Sequence, residues 1–174
     1  LAIPYFMIVF AIIETFIAYT AEQLVANAVD TMGRQLRTGN ITYNHTPTTN
    51  NKSEADFRRM FCAEISILIR CSEAEITTPT ATGNKLWIDV KSYTDFASMP
   101  NTVPLDGNGD LNGPSLSYAP GGPSTKNMLR AYYKWEIITD LLRPYITNIR
   151  PADKARPNYF LIVETSAFQN EEYP

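Results

Sequence analysis

A few side chains in this sequence have types and spacings that could do chemistry. Cys62 and Cys71 are the only two cysteines among 174 residues, and outside a reducing compartment such a pair is the expected count for one disulfide. Asp106, Asn108 and Asp110 fall at i, i+2 and i+4, the opening pattern of a calcium loop. Arg143, Arg150, Lys154 and Arg156 lie in a basic stretch broken by prolines. It would suit plain solvent, an acidic partner surface or lipid headgroups. Glu14 is a lone carboxylate inside a long apolar run, and His45 is the single histidine.

The reach of each group is bounded. The calcium pattern is incomplete: its sixth position is Leu111 where glycine belongs, and its twelfth is Ser117 where glutamate belongs. A Gly/Asp turn and a calcium loop both remain open readings, and Ca2+ is the only cofactor the sequence suggests. One histidine in a polar loop leaves a zinc or His-based catalytic site almost nothing to work with. No nucleophile–base signature, phosphate loop or dinucleotide fingerprint is present. The expectation is a protein that is not an enzyme and has no small-molecule substrate. The net charge of −3 argues against a nucleic-acid partner. Apolar residues at 44% and charged residues at 19% are those of a folded chain.

The elements that must position these groups begin with Leu1–Tyr19, LAIPYFMIVFAIIETFIAY. As a helix it reaches roughly 28 Å, close to the ~30 Å hydrocarbon thickness of a bilayer. A soluble core helix seldom stays apolar on every face for five turns. The stretch therefore predicts a membrane-spanning helix, with Pro4 in a first turn or at a kink and Pro4, Phe10, Glu14 and Phe16 facing lipid or another subunit. A carboxylate near mid-membrane costs about 2.5–3.5 kcal/mol. Glu14 therefore belongs either at the interface or against a partner chain. The helix then continues. Ala21, Leu24, Val25, Ala28, Val29, Met32 and Leu36 make one apolar stripe at helical period. Arg34 and Arg37 suit the negative end of the helix dipole, and Gly39 is the stop signal. The second half of this helix should lie against a globular domain.

Residues 40–52 read as an exposed loop carrying N-x-S/T sequons at Asn40, Asn44 and Asn51. Ser53 and Asp56 resemble a capping box, opening a helix with Phe57, Met60, Phe61, Ile65 and Leu68 on one face. On one unbroken helix Cys62 and Cys71 would stand ~13 Å apart along the axis, too far for a bond. Pairing requires the helix to break near Ile69–Arg70 and the chain to turn back; the alternative is two buried free thiols. Residues 85–93 alternate, with Leu86, Ile88 and Val90 on a buried face and Trp87, Asp89 and Lys91 on the other. Residues 128–137 and 158–168 read as two more strands, with a short helix within 139–146. The ten tyrosines fit an exposed sticky surface and a half-buried sheet equally well. The expected fold is α+β: a long N-terminal helix over residues 1–38, and a domain over 39–174 with about three antiparallel strands packed on helices. The domain's size, about 130 residues, suffices for an ordinary core.

Several segments in this order resemble one family. LAIPYFMIVFAIIETF, AVDTMGRQLRTG, FRRMFCAEISILIRC, LWIDVKSYTDFASM, YAPGGPSTKNMLRAYYKWEI and the terminal AFQNEEY are together similar to the TadE-like, pseudopilin-like proteins of the tight-adherence (Flp) pilus system. The resemblance implies a structural minor pilin or pilus-assembly protein, anchored in the bacterial inner membrane with a periplasmic domain, or exported into an extracellular pilus. It implies other pilin-like or membrane subunits as partners through the N-terminal helix. It also implies cleavage by a prepilin peptidase at a Gly followed by an acidic residue. No such pair stands near Leu1, so the cleavage site would lie upstream. An accessory subunit of another inner-membrane complex and a pilus-tip adhesion module are the alternatives.

Overall fold

The chain begins with one helix, α1 (Ala2–Arg37). After Pro4 it meets no breaker before Gly33. Arg34 and Arg37 lie in its last turn, and Gly39 ends it at φ +73°, a left-handed position that only glycine takes without steric cost. The Ile41 N–H then folds back onto the Gln35 carbonyl at 3.1 Å. Residues 2–81, 83–139, 142–153 and 157–174 are described by this computed structural model.

Helix α2 (Glu54–Ile65) starts at the expected capping box: the Ser53 side chain accepts from the Asp56 N–H, and the Asp56 side chain accepts from the Ser53 N–H. It ends sooner than expected, at Ile65 rather than near Ile69–Arg70, because the chain turns where the Ser66 hydroxyl donates to the Ala63 carbonyl at 2.8 Å. That earlier turn brings the Cα atoms of Cys62 and Cys71 to 5.9 Å, and the two cysteines form a disulfide. A second capping box, Ser72 with Glu75, opens a further short helix, α3 (Glu73–Thr77).

The sheet has four strands rather than three. They are β1 (Leu86–Tyr93), β2 (Tyr118–Ala119), β3 (Lys126–Trp135) and β4 (Phe160–Gln169), in the order β2-β1-β3-β4. The β1/β3 and β3/β4 pairs are antiparallel, with Ile88 opposite Ala131 and Ala131 opposite Glu164. The two-residue β2 adds parallel to β1, so the sheet is mixed and the fold is α+β. The helix expected within 139–146 is one turn, α4 (Arg143–Ile146); residues 140 and 141 lie outside the described ones.

On one face of the sheet, Leu86, Ile88, Val90, Leu129, Ala131 and Ile162 meet the α1 stripe Ala21, Val25, Ala28, Val29, Met32 and Leu36, together with Phe57 and Phe61 of α2. Close approach is helped by Gly33, where an added Cβ would stand 3.0 Å from Ser166 Oγ on β4. The other face was expected to be open. Instead Trp87, Tyr132 and Leu161 are covered by Leu111, Ile149 and Tyr159 from the long connections. Polar side chains pin those connections down: buried Arg130 donates to the carbonyls of Pro100 and Thr102, and Asp89 accepts from the Ser117 N–H. Both faces of the sheet are therefore buried, and Tyr118, Tyr132 and Tyr159 are core residues. The abundance of tyrosine reflects the sheet interior at these positions.

The Cys62–Cys71 bond holds the α2–α3 turn against the α1 stripe. In the chain-entropy account, a ring this small contributes about 2.5–3 kcal/mol. Reducing it, or making the Cys62→Ser/Cys71→Ser pair, is expected to lower the unfolding free energy read from a urea titration by a matching amount.

Candidate functional site

The part of the molecule most open to its surroundings is the start of α1, ahead of Glu14. Phe10 is 55% exposed and Phe16 is 68% exposed, and Ile3, Phe6, Ile8 and Ile12 are also open. Pro4 sits in the first turn, exposed like its neighbours. This is the one helix among the described residues long and apolar enough to cross a membrane. Its stretch of 12 residues ahead of Glu14, Ala2–Ile13, reaches about 18 Å. An apolar surface of this kind, open around most of the helix, is compatible with a place in a bilayer.

Glu14 marks where the protein begins to cover the helix, and it is itself 93% removed from solvent, with a relative exposure of 7%. Its carboxylate accepts from the Ile138 N–H at 2.5 Å and from the Thr139 N–H at 3.2 and 3.4 Å. The reason is local. The chain leaves the β3 ladder after Trp135, and the amides just beyond have no strand partner. A carboxylate set between two such N–H groups is a charge-assisted acceptor for both. Glu14 thus finds two donors within its own chain. Above it, Ala18 and Ala21 are buried on the same side of the helix, while Tyr19 remains exposed on the other.

Further up, α1 and β4 bring carboxylates together. Burial first, and then the negative charges of Glu22 and Asp30, push the Glu164 carboxyl above its ordinary value. A contrasting case is Glu75. Burial alone would raise its carboxyl, but hydrogen bonds from Ser72, Lys85 and Leu86 more than offset this and hold it below the usual range. Beside it, Arg58 is 2% exposed and spans three elements, pairing with Glu54 at 3.1 Å and donating to the carbonyls of Glu75 and Leu86. These are structural clamps between α2, α3 and β1.

The Asp/Gly loop closes on itself. Asp106 Oδ1 accepts from the N–H groups of Asn108 and Asp110. Asp110 turns inward, accepting from the Leu111 N–H, from the Tyr159 hydroxyl and from Lys134 Nζ at 3.1 Å. No group of three or more His, Cys, Asp or Glu side chains among the described residues is arranged to hold a metal. A calcium ion entering at Asp110 would compete with the Lys134 ammonium for the same oxygen.

Elsewhere, Arg143 donates to the Ile137 carbonyl at 3.1 Å and Arg150 to the Pro144 carbonyl at 2.7 Å, so each bonds its own connection. Lys154 and Arg156 lie outside the described residues. His45 Nε2 sits 2.8 Å from the Pro174 carbonyl, with its ring edge-on to Tyr173, which ties the C-terminus to the 40–52 loop. Of the sequon asparagines, Asn51 spends its side-chain amide on Thr42 and His45. The sequence reading missed α3, although Ser72 and Glu75 repeat the capping spacing seen at Ser53 and Asp56. It also missed the Glu14 clasp, for which no local signal exists, since the donors are backbone amides more than a hundred residues away.

Comparison of the chain with protein-family models, with curated proteins and with solved structures finds no match. The TadE-like resemblance rests on the sequence segments alone.

Two outcomes are expected. Glu14→Leu, in lipid nanodiscs, removes the acceptor shared by two amides. A hydrogen bond to a charged group contributes about 1.5–3 kcal/mol, so hydrogen exchange at Ile138 and Thr139 should quicken about tenfold or more, while β3 amides stay protected. The second concerns pH. A carboxyl whose folded pKa is raised binds its proton more tightly in the native state; its contribution is complete below the ordinary value of 4.5 and is lost as pH rises through the raised one. Glu164→Gln should therefore melt above the parent protein at pH 7, with the gap closing toward pH 4.

Proposed function

We propose that this chain is a pilin-like structural subunit of a tight-adherence-type pilus, or of the machine that assembles it, held by the bare half of α1. The observation that carries the reading is the division of α1. Its second half is the central helix of the domain core, and the turns ahead of Glu14 are apolar and mostly exposed. A helix of this kind can be stored in a bilayer and then exchange lipid for sister helices without exposing apolar surface to water. The expected setting is a bacterial inner membrane, with the disulfide-bonded domain on its oxidising side.

The role is structural and non-enzymatic in this reading. An accessory subunit of another membrane complex drew its support from Glu14 reaching a neighbour, and Glu14 has its donors at home. A calcium-dependent tip adhesin drew its support from the Asp106 loop, whose carboxylates are committed to backbone and Lys134.

Shearing of producing cells followed by fractionation tests the proposal. The full chain is expected in the extracellular filament fraction, with a stored pool in the membrane. Recovery in the membrane alone would rule out a filament subunit and leave the assembly role. Recovery as a detergent-free soluble monomer would remove the anchor as well.

A further inference from the structure

The connection bound to Glu14 carries an exposed apolar side chain at an unusual height. Ile138 is 82% exposed, although its own N–H is buried on the Glu14 carboxylate. Beside that bond lies a crevice of about 130 Å³ lined by Ile138, Thr139 and Trp135 on one side and by Phe10, Ile13 and Ile17 of α1 on the other. Ile138 is thus level, along the helix axis, with residues of the bare apolar half. Phe10, which shares the crevice, is itself more than half exposed. A few residues on, Tyr145 is 85% exposed, a side chain with an apolar ring and a polar tip of the kind enriched at membrane interfaces.

We infer that Ile138 enters the hydrocarbon edge of the bilayer beside α1, so that the domain rests on the lipid surface rather than standing off it. This rests on the reading of α1 as a membrane helix. The occupant of the surface is lipid because the crevice is continuous with the helix face that reading already assigns to lipid. A level that puts Phe10 among acyl chains cannot leave Ile138 far out in water, since the hydrogen bonds to Glu14 fix one against the other. The Glu14 clasp then has a clear physical purpose. It lets a carboxylate sit at the membrane boundary with its charge met by two amides, lowering the cost that a bare carboxylate would carry there. It also satisfies two backbone donors that the β3 strand has released near a region poor in water.

Spin labels test this in the full chain, reconstituted into phosphatidylcholine/phosphatidylglycerol vesicles. The native cysteines remain bonded to one another, so single labels can be placed at Phe10→Cys, Ile138→Cys and Thr49→Cys. All three positions are exposed. Thr49 lies in the loop beyond the far end of α1 and serves as the water reference. The ratio of oxygen to nickel-chelate accessibility at 138 is expected to match that at 10 and to exceed that at 49 several times over. If 10 reads as lipid and 138 reads as water, the seat is overturned while the anchor stands. If 10 also reads as water, both readings fall. A label at 138 shielded from both reagents, as at a contact with a second protein, overturns the seat too.

Discussion

The structure depends on burying one stripe of α1. Ala21, Val25, Ala28, Val29, Met32 and Leu36 are almost wholly removed from solvent, and they form the floor on which β3, β4 and α2 lie. Each large apolar side chain so buried contributes about 1.5–3 kcal/mol, and the small ones matter by letting the sheet come near. Gly33 against Ser166 is the closest of these approaches. Among the described residues there is no other central helix: α3 and α4 are each a turn or so long, and α2 packs beside α1 rather than replacing it. The domain therefore cannot be separated from α1, whose covered half is its floor.

Several parts of this arrangement were legible in the sequence for physical reasons. The α1 stripe was visible because it repeats at every third or fourth residue over about four turns, and its end was visible because Gly39 follows two late arginines. The α2 start was visible because Ser53 and Asp56 have the capping spacing. The three longer strands were found within two residues at each end, since alternation in Leu86–Val90 and runs such as MLRAYY carry a period of two. What was hidden depends on contacts distant in sequence. Trp87 looked solvent-facing because nothing local announces that Leu111, Ile149 and Tyr159 will cover its face of the sheet, and Asp89 because its Ser117 partner is far along the chain. Strand β2 is only Tyr118–Ala119, too short to show any period. The turn after α2 was misplaced because Ile67, Leu68 and Ile69 prolong an apolar pattern that the backbone has already left. Ile67 is in fact exposed and Ile69 buried.

The second covered face changes how the polar residues are understood. Charged side chains spaced for a solvated strand surface turn out to be the fastenings of long connections. Arg130 holds Pro100 and Thr102, Lys134 meets Asp110, and Asp89 pairs with Lys91 at 2.8 Å while accepting from Ser117. Buried ionic groups of this kind are costly unless every partner is present, so they fix the paths of the loops even where they add little net stability. The same logic applies to Arg58 under α2. The chemistry suggested by isolated acidic and basic residues in the sequence is, in the folded chain, largely consumed by the fold itself.

A mechanical consequence follows from the way α1 is gripped at both ends of its covered half. At one end Glu14 is tied to Ile138 and Thr139. At the other, the Glu171 N–H bonds the Arg37 carbonyl at 2.9 Å and the Arg37 side chain reaches Glu171. No linker separates the bare segment from the gripped one; they are successive turns of one hydrogen-bonded rod. Tension applied at the greasy tip is delivered straight into the sheet, as along a tang into a blade, without a hinge to absorb it. The head and its stem therefore move as one rigid piece.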